Sequence, residues 1–341
     1  MKKTMIWLIV GLALVLIGGC VFVGVLAAGD WDFSRLSTEK YHTVTHTVSA
    51  PWNRIFIDSD TADITLLPSA DGGVRVVCYE EEKLKHSVTV EGETLTVRVV
   101  DTRRWYEHIG IFGGSPKITL YLPAGEYAAL TVREDTGDID IPRDFSFASL
   151  DLMLSTGDVR CAAAVTGTTR IESSTGDVHC TGAVMGAVEL ITSTGDVSVV
   201  GVTVESLRAT TTTGRINLSA LTCRGVLLAD VSTGKVTMTD VTCDTLTTNG
   251  STGDLALHRV LATSRFSITR DTGDVRFEAC DAAEIVVKTD TGDVEGSFRT
   301  EKIVYASTDT GRVEVPRCTG GGRCEITTDT GDIRVSILPA G

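Results

Sequence analysis

"SSTGDVHCTGAVMGAVELITSTGDVSVVG", residues 173 to 201, states one phrase twice, nineteen residues apart. The same tetrad continues along the chain. Its glycines are Gly137, Gly157, Gly176, Gly195, Gly214, Gly234, Gly253, Gly273, Gly292, Gly311 and Gly331, and threonine precedes each of them. Every step is nineteen or twenty residues. A fixed period of this size is the signature of a solenoid, in which each repeat buries its apolar face only against its neighbours.

The alternation around each glycine says what the phrase does. Seven residues before it stand Leu130, Leu150, Leu207, Leu227, Leu246, Phe266, Ile285 and Val304; five before it stand Val132, Leu152, Ile171, Leu190, Ile268, Val287 and Ile326. After the glycine the apolar positions are two and four on, as in Ile139, Val159, Val178 and Val197. Side chains on a strand alternate between faces, so inward positions that are odd before the glycine and even after it require a bend between them. Glycine suits such a corner because it adopts positive φ at little steric cost. Aspartate is expected to bond its own turn backbone, and the threonine hydroxyl, on the inward parity, to satisfy a corner group. A second bend must lie in the six to eight residues that complete each turn. Rungs about 4.8 Å apart then give a rod of about 50 Å, with ends that need closing. The expected class is all-β, a β-solenoid of about eleven 19–20-residue repeats with an N-terminal transmembrane helix and an irregular β cap.

Composition sets outer limits. The chain has 341 residues, 42% hydrophobic and only 6% aromatic, with a net charge of −14. So acidic a surface repels phosphate backbones, which argues against a nucleic-acid partner. From Met5 to Ala28 there is no charge, and as helix that length reaches about 36 Å, enough for a hydrocarbon core of about 30 Å. Lys2 and Lys3 precede it and Asp30 and Asp32 follow, which places the bulk of the chain outside the cytoplasm. A retained anchor is the leading reading; lipidation of Cys20 and simple cleavage are the alternatives. The expected organisation is therefore 1–28, cytoplasmic N-terminus and membrane helix; 29–40, spacer; 41–130, β capping region; 131–341, repeats.

In the capping region, "RIFIDSDTADITLLP" carries a degenerate corner at Asp60–Ile64, and "SVTVEGETLTVRVV" reads as a hairpin around Gly92. Together with "KITLYLPAG", "LTVREDTGDIDI" and the STGD and DTGD copies, these stretches resemble the adhesin-like, β-strand-repeat domain of unknown function found in Gram-positive surface and membrane proteins. The resemblance covers about residues 50 to 341. It implies a β-repeat module of the cell envelope, some members of which are linked to envelope stress, and it supplies no catalytic residues.

Individual candidates are weighed against that frame. Asp135, Asp271, Asp290, Asp309 and Asp329 open Asp-Thr-Gly triplets like those of aspartic proteases, but Ser155, Ser174, Ser193, Ser232 and Ser251 fill the same slot elsewhere. Residues so interchangeable are turn residues. A carbohydrate-cleaving β-helix is the enzymatic competitor, with Asp196, Arg215, Lys235 and Asp254 as its charges, yet the repeats contain no Trp platform. His42 and His46, and the corner group Asp58, Asp60 and Asp63, lack a metal-ligand spacing. Trp105, Tyr106, Ile109, Ile111 and Phe112 read as a hydrophobic plug over the rod's end, with an exposed contact loop for a membrane or partner as the alternative. Cys161 with Cys180, and Cys223 with Cys243, fall on adjacent rungs within reach of a bridge, although their slots elsewhere hold Val199, Leu218, Met238 and Leu257. The function expected is a non-enzymatic, membrane-anchored, extracytoplasmic adhesin-like scaffold or binding module with no cofactor; an envelope-stress sensor is the alternative. Its one candidate ligand surface is an acidic ridge, Asp271, Asp274, Asp290, Asp293, Asp309, Asp329 and Asp332, suited to a cationic peptide or another envelope component.

Overall fold

A computed structural model of the chain describes residues 2–28, 41–104, 115–182 and 184–339. The spacer and the aromatic segment at 105–112 lie outside the described residues. Helix α1, Lys2–Ala28, is followed by strands throughout. The first are β1 (Tyr41–Val48), β2 (Arg54–Ser59), β3 (Asp63–Pro68), β4 (Val74–Glu81), β5 (Leu84–Glu91), β6 (Thr94–Asp101) and β7 (Lys117–Leu122).

The repeats begin with β8 (Gly125–Thr136) and β9 (Ile139–Ile141), then β10 (Phe145–Thr156) and β11 (Val159–Cys161). Each rung is thus a long strand, a corner at Thr-Gly-Asp and a short strand. Long strands stack in parallel on long strands and short on short: β10 pairs with β8, placing Leu152 on Val132, and β11 pairs with β9, placing Val159 on Ile139. Two walls result, and the apolar positions at seven and five before the glycine and two and four after it fill the space between them. Ile139, Val159, Val178 and Val197 are fully buried, as are Leu130, Val132 and Leu152. Cys161 lies on Cys180 in this column, both as free thiols, and burial pushes the Cys161 thiol up to about 11.

The corner is tighter than the alternation suggests. Three before the glycine is the last inward position; two before and one before are both exposed, as at Ser174 and Thr175. The expectation of an inward threonine hydroxyl is therefore corrected. The hydroxyl that serves the corner belongs to the residue three before the glycine: Thr192 donates to the Gly176 carbonyl at 3.2 Å and Thr211 to that of Gly195 at 3.0 Å. The exposed threonine contributes its carbonyl, so that the Gly176 amide donates to Thr194 of the next rung at 2.9 Å.

The aspartate after the glycine also reaches across rungs, not into its own turn. Asp138 Oδ1 accepts the Asp158 amide at 2.9 Å, Asp158 that of Asp177 at 2.8 Å, Asp177 that of Asp196 at 2.7 Å and Asp196 that of Arg215 at 2.8 Å. A column of like charges is unfavourable by Coulomb's law, and each charge-assisted bond to an amide offsets part of that cost.

The second bend is sharper than a loop. Six residues after the glycine the backbone turns left-handed at Gly182 (φ 57°), Gly201 (66°), Ala220 (48°), Asp240 (55°), Arg259 (54°) and Ala279 (52°). For an L-residue this conformation costs about 1–2 kcal/mol. Ala279→Gly is therefore expected to raise stability by about 1 kcal/mol in denaturant unfolding. A loss of stability would show that the bend is held by something other than local backbone geometry.

Both ends are closed, and neither in simple chain order. At the N-terminal end β2 and β3 lie on β8 and β9, with Ala62–Asp63 as the degenerate corner beneath Gly137. Outside them lie β6 on β2 and β7 on β3, both parallel. Antiparallel β5 then covers β6, around Gly92 as expected, and antiparallel β4 covers β7, with β1 on β4. At the C-terminal end the last two rungs exchange places. The strand Gly322–Thr330 inserts between Glu284–Thr291 and Lys302–Thr310, so the Gly311 corner, not the Gly331 corner, ends the stack. Lys302 anchors this outer rung, its buried ammonium donating to Asp281 at 2.5 Å and Thr300 at 2.7 Å.

Helix α1 carries Leu12, Leu14, Val15, Leu16, Ile17 and Val21 exposed to solvent. Among the described residues no helix is long and apolar enough to cross a membrane.

Candidate functional site

The acidic ridge divides into two columns with different chemistry. Asp274, Asp293 and Asp332, one after the glycine, are spent on the stack: they accept the amides of Asp293 (3.1 Å), Asp332 (2.7 Å) and Arg312 (2.8 Å). Arg276 also pairs with Asp274 at 2.8 Å, and Arg312 with Asp332 at 3.1 Å. The amide bond from Arg312, followed by the neighbouring guanidinium groups, holds the Asp332 carboxyl below the usual range. Arg312 is the terminus of this column, where no further rung needs an acceptor. The column two before the glycine runs Asp271, Asp290, Asp329, Asp309 in space, because of the exchanged rungs; all four are exposed. The structure gathers these carboxylates along one edge and builds no concavity around them.

Of the cap candidates, Asp63 has a structural role, and with Asp60 it lines a hollow of 580 Å³ beside the Gly137 corner. Asp63 Oδ1 accepts the Asp138 amide at 3.3 Å as the first member of the ladder. His42 is exposed on β1 and His46 half-buried, with no third ligand beside them among the described residues.

A concave surface lies on the long-strand wall. A groove of 730 Å³ crosses several stacked rungs. Its outward column, six before the glycine, reads Thr131, Asp151, Arg170, Glu189, Arg208, Leu228, in direct register from rung to rung. Arg170 bonds Glu189 at 3.0 Å and Glu172 at 2.7 Å, and Arg208 stands 3.8 Å from Glu189. The column eight before the glycine is small: Ser149, Thr168, Ala187, Ser206. Small residues make the hollow, and the strands bend beside them, where the register slips between Phe147 and Ser149 and between Val165 and Thr168. The half-exposed Val226 and Leu228 form an apolar end. Nothing in the periodicity of single repeats points to this groove, because it arises from small residues recurring across four rungs at a position that carries no core.

A third cluster is buried in the cap. Cys78 and Glu80 on β4 and His86 on β5 point inward, and Ser59 of β2 lies beside His86. These three are the residues able to hold a metal ion among those described.

Comparison with known proteins follows from this architecture. The sequence profile described as Toastrack DUF4097 matches residues 52–240 and 225–339. Among solved structures, one described as a putative adhesin from Bacteroides fragilis is 13% identical, with 87% of this chain and 97% of that one covered and a TM-score of 0.33. One described as a putative lipid binding protein from Parabacteroides distasonis is 14% identical, covering 88% and 98%, with a TM-score of 0.44. A putative adhesin from the same species is 14% identical over 88% and 98%, at 0.39. No curated protein matches the chain at a significant level.

Proposed function

This chain belongs to the Toastrack DUF4097 family, and from that premise we propose that it is a non-enzymatic, adhesin-like binding module of the cell envelope, held at the membrane by α1. The groove is the observation that carries the reading. Six stacked rungs span about 24 Å at the usual strand spacing, room for about seven residues of extended chain. Its floor alternates acid and base, with Asp151, Arg170, Glu189 and Arg208 balancing in charge, and it has no aromatic platform for sugar rings. An extended peptide carrying both charge signs fits such a floor better than a polycation or a glycan. The rod supplies rigidity, so little ordering of the protein opposes binding. For α1, the support is its exposed apolar side chains, Leu12, Leu14, Val15, Leu16, Ile17 and Val21, with Lys2 and Lys3 in its first turn and Asp30 and Asp32 after it.

Arg170→Ala combined with Arg208→Ala is expected to weaken binding of a synthetic alternating Lys–Glu peptide at least tenfold, while leaving the melting temperature unchanged, because exposed ion pairs contribute little to stability. Unchanged affinity would remove the groove as the site. Protease added to intact cells is expected to digest the rod; protection that disappears on lysis would overturn the orientation.

A further inference from the structure

The buried cap cluster has the composition of a metal site. Cys78 is 0% exposed, Glu80 1% and His86 5%, and one ligand atom from each lies within 4.8 Å of the other two. His86 Nδ1 stands 3.0 Å from Glu80 Oε2, and the same carboxylate oxygen accepts the His86 amide at 2.5 Å. Val76, on the strand of Cys78 and Glu80, and Val97 on β6 belong to the apolar core of the rod. Ionisable groups placed there need a compensating partner.

We propose that Cys78 Sγ, a Glu80 carboxylate oxygen and His86 Nδ1 together bind one divalent cation of the zinc class. One thiolate, one imidazole and one carboxylate suit a borderline-soft ion, and bonds of about 2.0–2.3 Å place such ligands within the separations seen. Charge balances as well. A thiolate and a carboxylate neutralise a doubly charged ion, which leaves no net charge in the core. Binding releases the thiol proton and leaves the imidazole N–H on Nε2, facing Ser59. A water completes the fourth position.

A supporting outer shell is already present. A ligating histidine commonly donates its other ring N–H to an oriented acceptor. His86 Nε2 faces Ser59 Oγ at 3.4 Å, and Ser59 in turn bonds the buried Glu134 carboxyl. The second Glu134 oxygen has no partner.

The placement gives the ion a structural task. Strand β4 belongs to the short-strand wall, through β7, and β5 to the long-strand wall, through β6. No ladder joins β4 to β5 among the described residues. An ion held by both closes the rod's N-terminal end across its two walls.

Metal content and cobalt spectra of the full-length protein test this. Dialysed against Zn²⁺ or Co²⁺, it is expected to retain one equivalent, and the cobalt form to show thiolate-to-metal charge-transfer absorption in the near ultraviolet. Cys78→Val and His86→Gln abolish that band and weaken retention at least a hundredfold, whereas Cys161→Val leaves both intact. Glu80→Gln, which keeps a hydrogen bond to His86, serves where Cys78→Val does not fold; it too is expected to lose the equivalent. Chelation lowers the melting temperature of the parent but not of Glu80→Gln. Failure of the parent to retain an equivalent, or a cobalt band that survives both Cys78→Val and Glu80→Gln, overturns the site and leaves a buried histidine–glutamate pair.

Discussion

Gly195→Ala is expected to remove about 4 kcal/mol from the stability of the rod, at the upper end for one substitution. The backbone at Gly195 has φ 147°, and an added Cβ would stand 2.0 Å from the Gly176 carbonyl oxygen and 2.6 Å from its carbon. Both are backbone atoms of the neighbouring rung. Relief therefore requires rungs to separate, which breaks the parallel ladders on both walls. Gly201 provides the control. It also has positive φ, 66°, but a Cβ there meets nothing within 4 Å, so Gly201→Ala is expected to cost only about 1 kcal/mol from backbone strain. Denaturant unfolding of the two variants separates close stacking from simple turn preference. Equal losses would mean that the corner glycines serve φ alone.

The opposite sign is expected for Arg270→Met, a gain of about 2 kcal/mol. Arg270 is fully buried in the column three before the corner glycine, where Ser173, Thr192, Thr211 and Thr289 stand in other rungs. Its Nη2 donates to Thr248 at 2.7 Å, while Nε and Nη1 have no partner. Loss of water, only partly countered by Asp230 and Asp254, lowers its pKa from the ordinary arginine range to about 10. A shift of that size corresponds to about 3 kcal/mol of cost to the charged form. Below about pH 10 the folded chain bears that cost in full. It is relieved only as pH rises above about 10 towards the ordinary arginine range, where the folded state gives up the proton before the unfolded one does. Methionine fills a similar volume without the charge. Gly250 makes room for the guanidinium, since a Cβ there would lie 1.7 Å from Nη1; Gly250→Ala is accordingly expected to be less harmful beside Arg270→Met than in the parent, with the Val231 carbonyl oxygen at 2.9 Å from the added Cβ setting the remaining loss. A destabilised Arg270→Met would show that the cation has a partner worth keeping.

These effects also mark where the sequence was readable. The corner glycines, the buried positions two and four after them, the hairpin at Gly92 and the degenerate corner at Asp60–Ile64 all follow from alternation, which reports the burial of each residue locally. Alternation does not report which neighbour a group bonds. The aspartates after the glycine were for that reason assigned to their own turns, whereas Asp177 bonds the amide of Asp196 one rung away. The threonine before the glycine was misplaced because the chain begins to turn two residues earlier than a parity count assumes. Rungs with nearly identical edges carry no mark of order, so the exchange of the last two rungs was hidden. The left-handed bends at Ala220, Asp240, Arg259 and Ala279 lacked the glycine that would have announced them. Cys78, Glu80 and His86 were invisible as a group because β4 and β5 lie on different walls, and no fixed spacing encodes that meeting.

The claim that the repeated phrase ties rung to rung is tested most directly by residue-resolved amide exchange along the corner column. The amides of Asp158, Asp177, Asp196 and Arg215 each donate to an aspartate of the preceding rung. Lys235 and Asp254 follow Arg215 and Lys235, which carry no carboxylate, and among the described residues nothing accepts their amides. Slow exchange is expected at the first four positions and fast exchange at Lys235 and Asp254, with Asp177→Ala converting Asp196 alone from slow to fast. Uniform protection along the column, or an Asp196 amide indifferent to Asp177→Ala, would contradict the account.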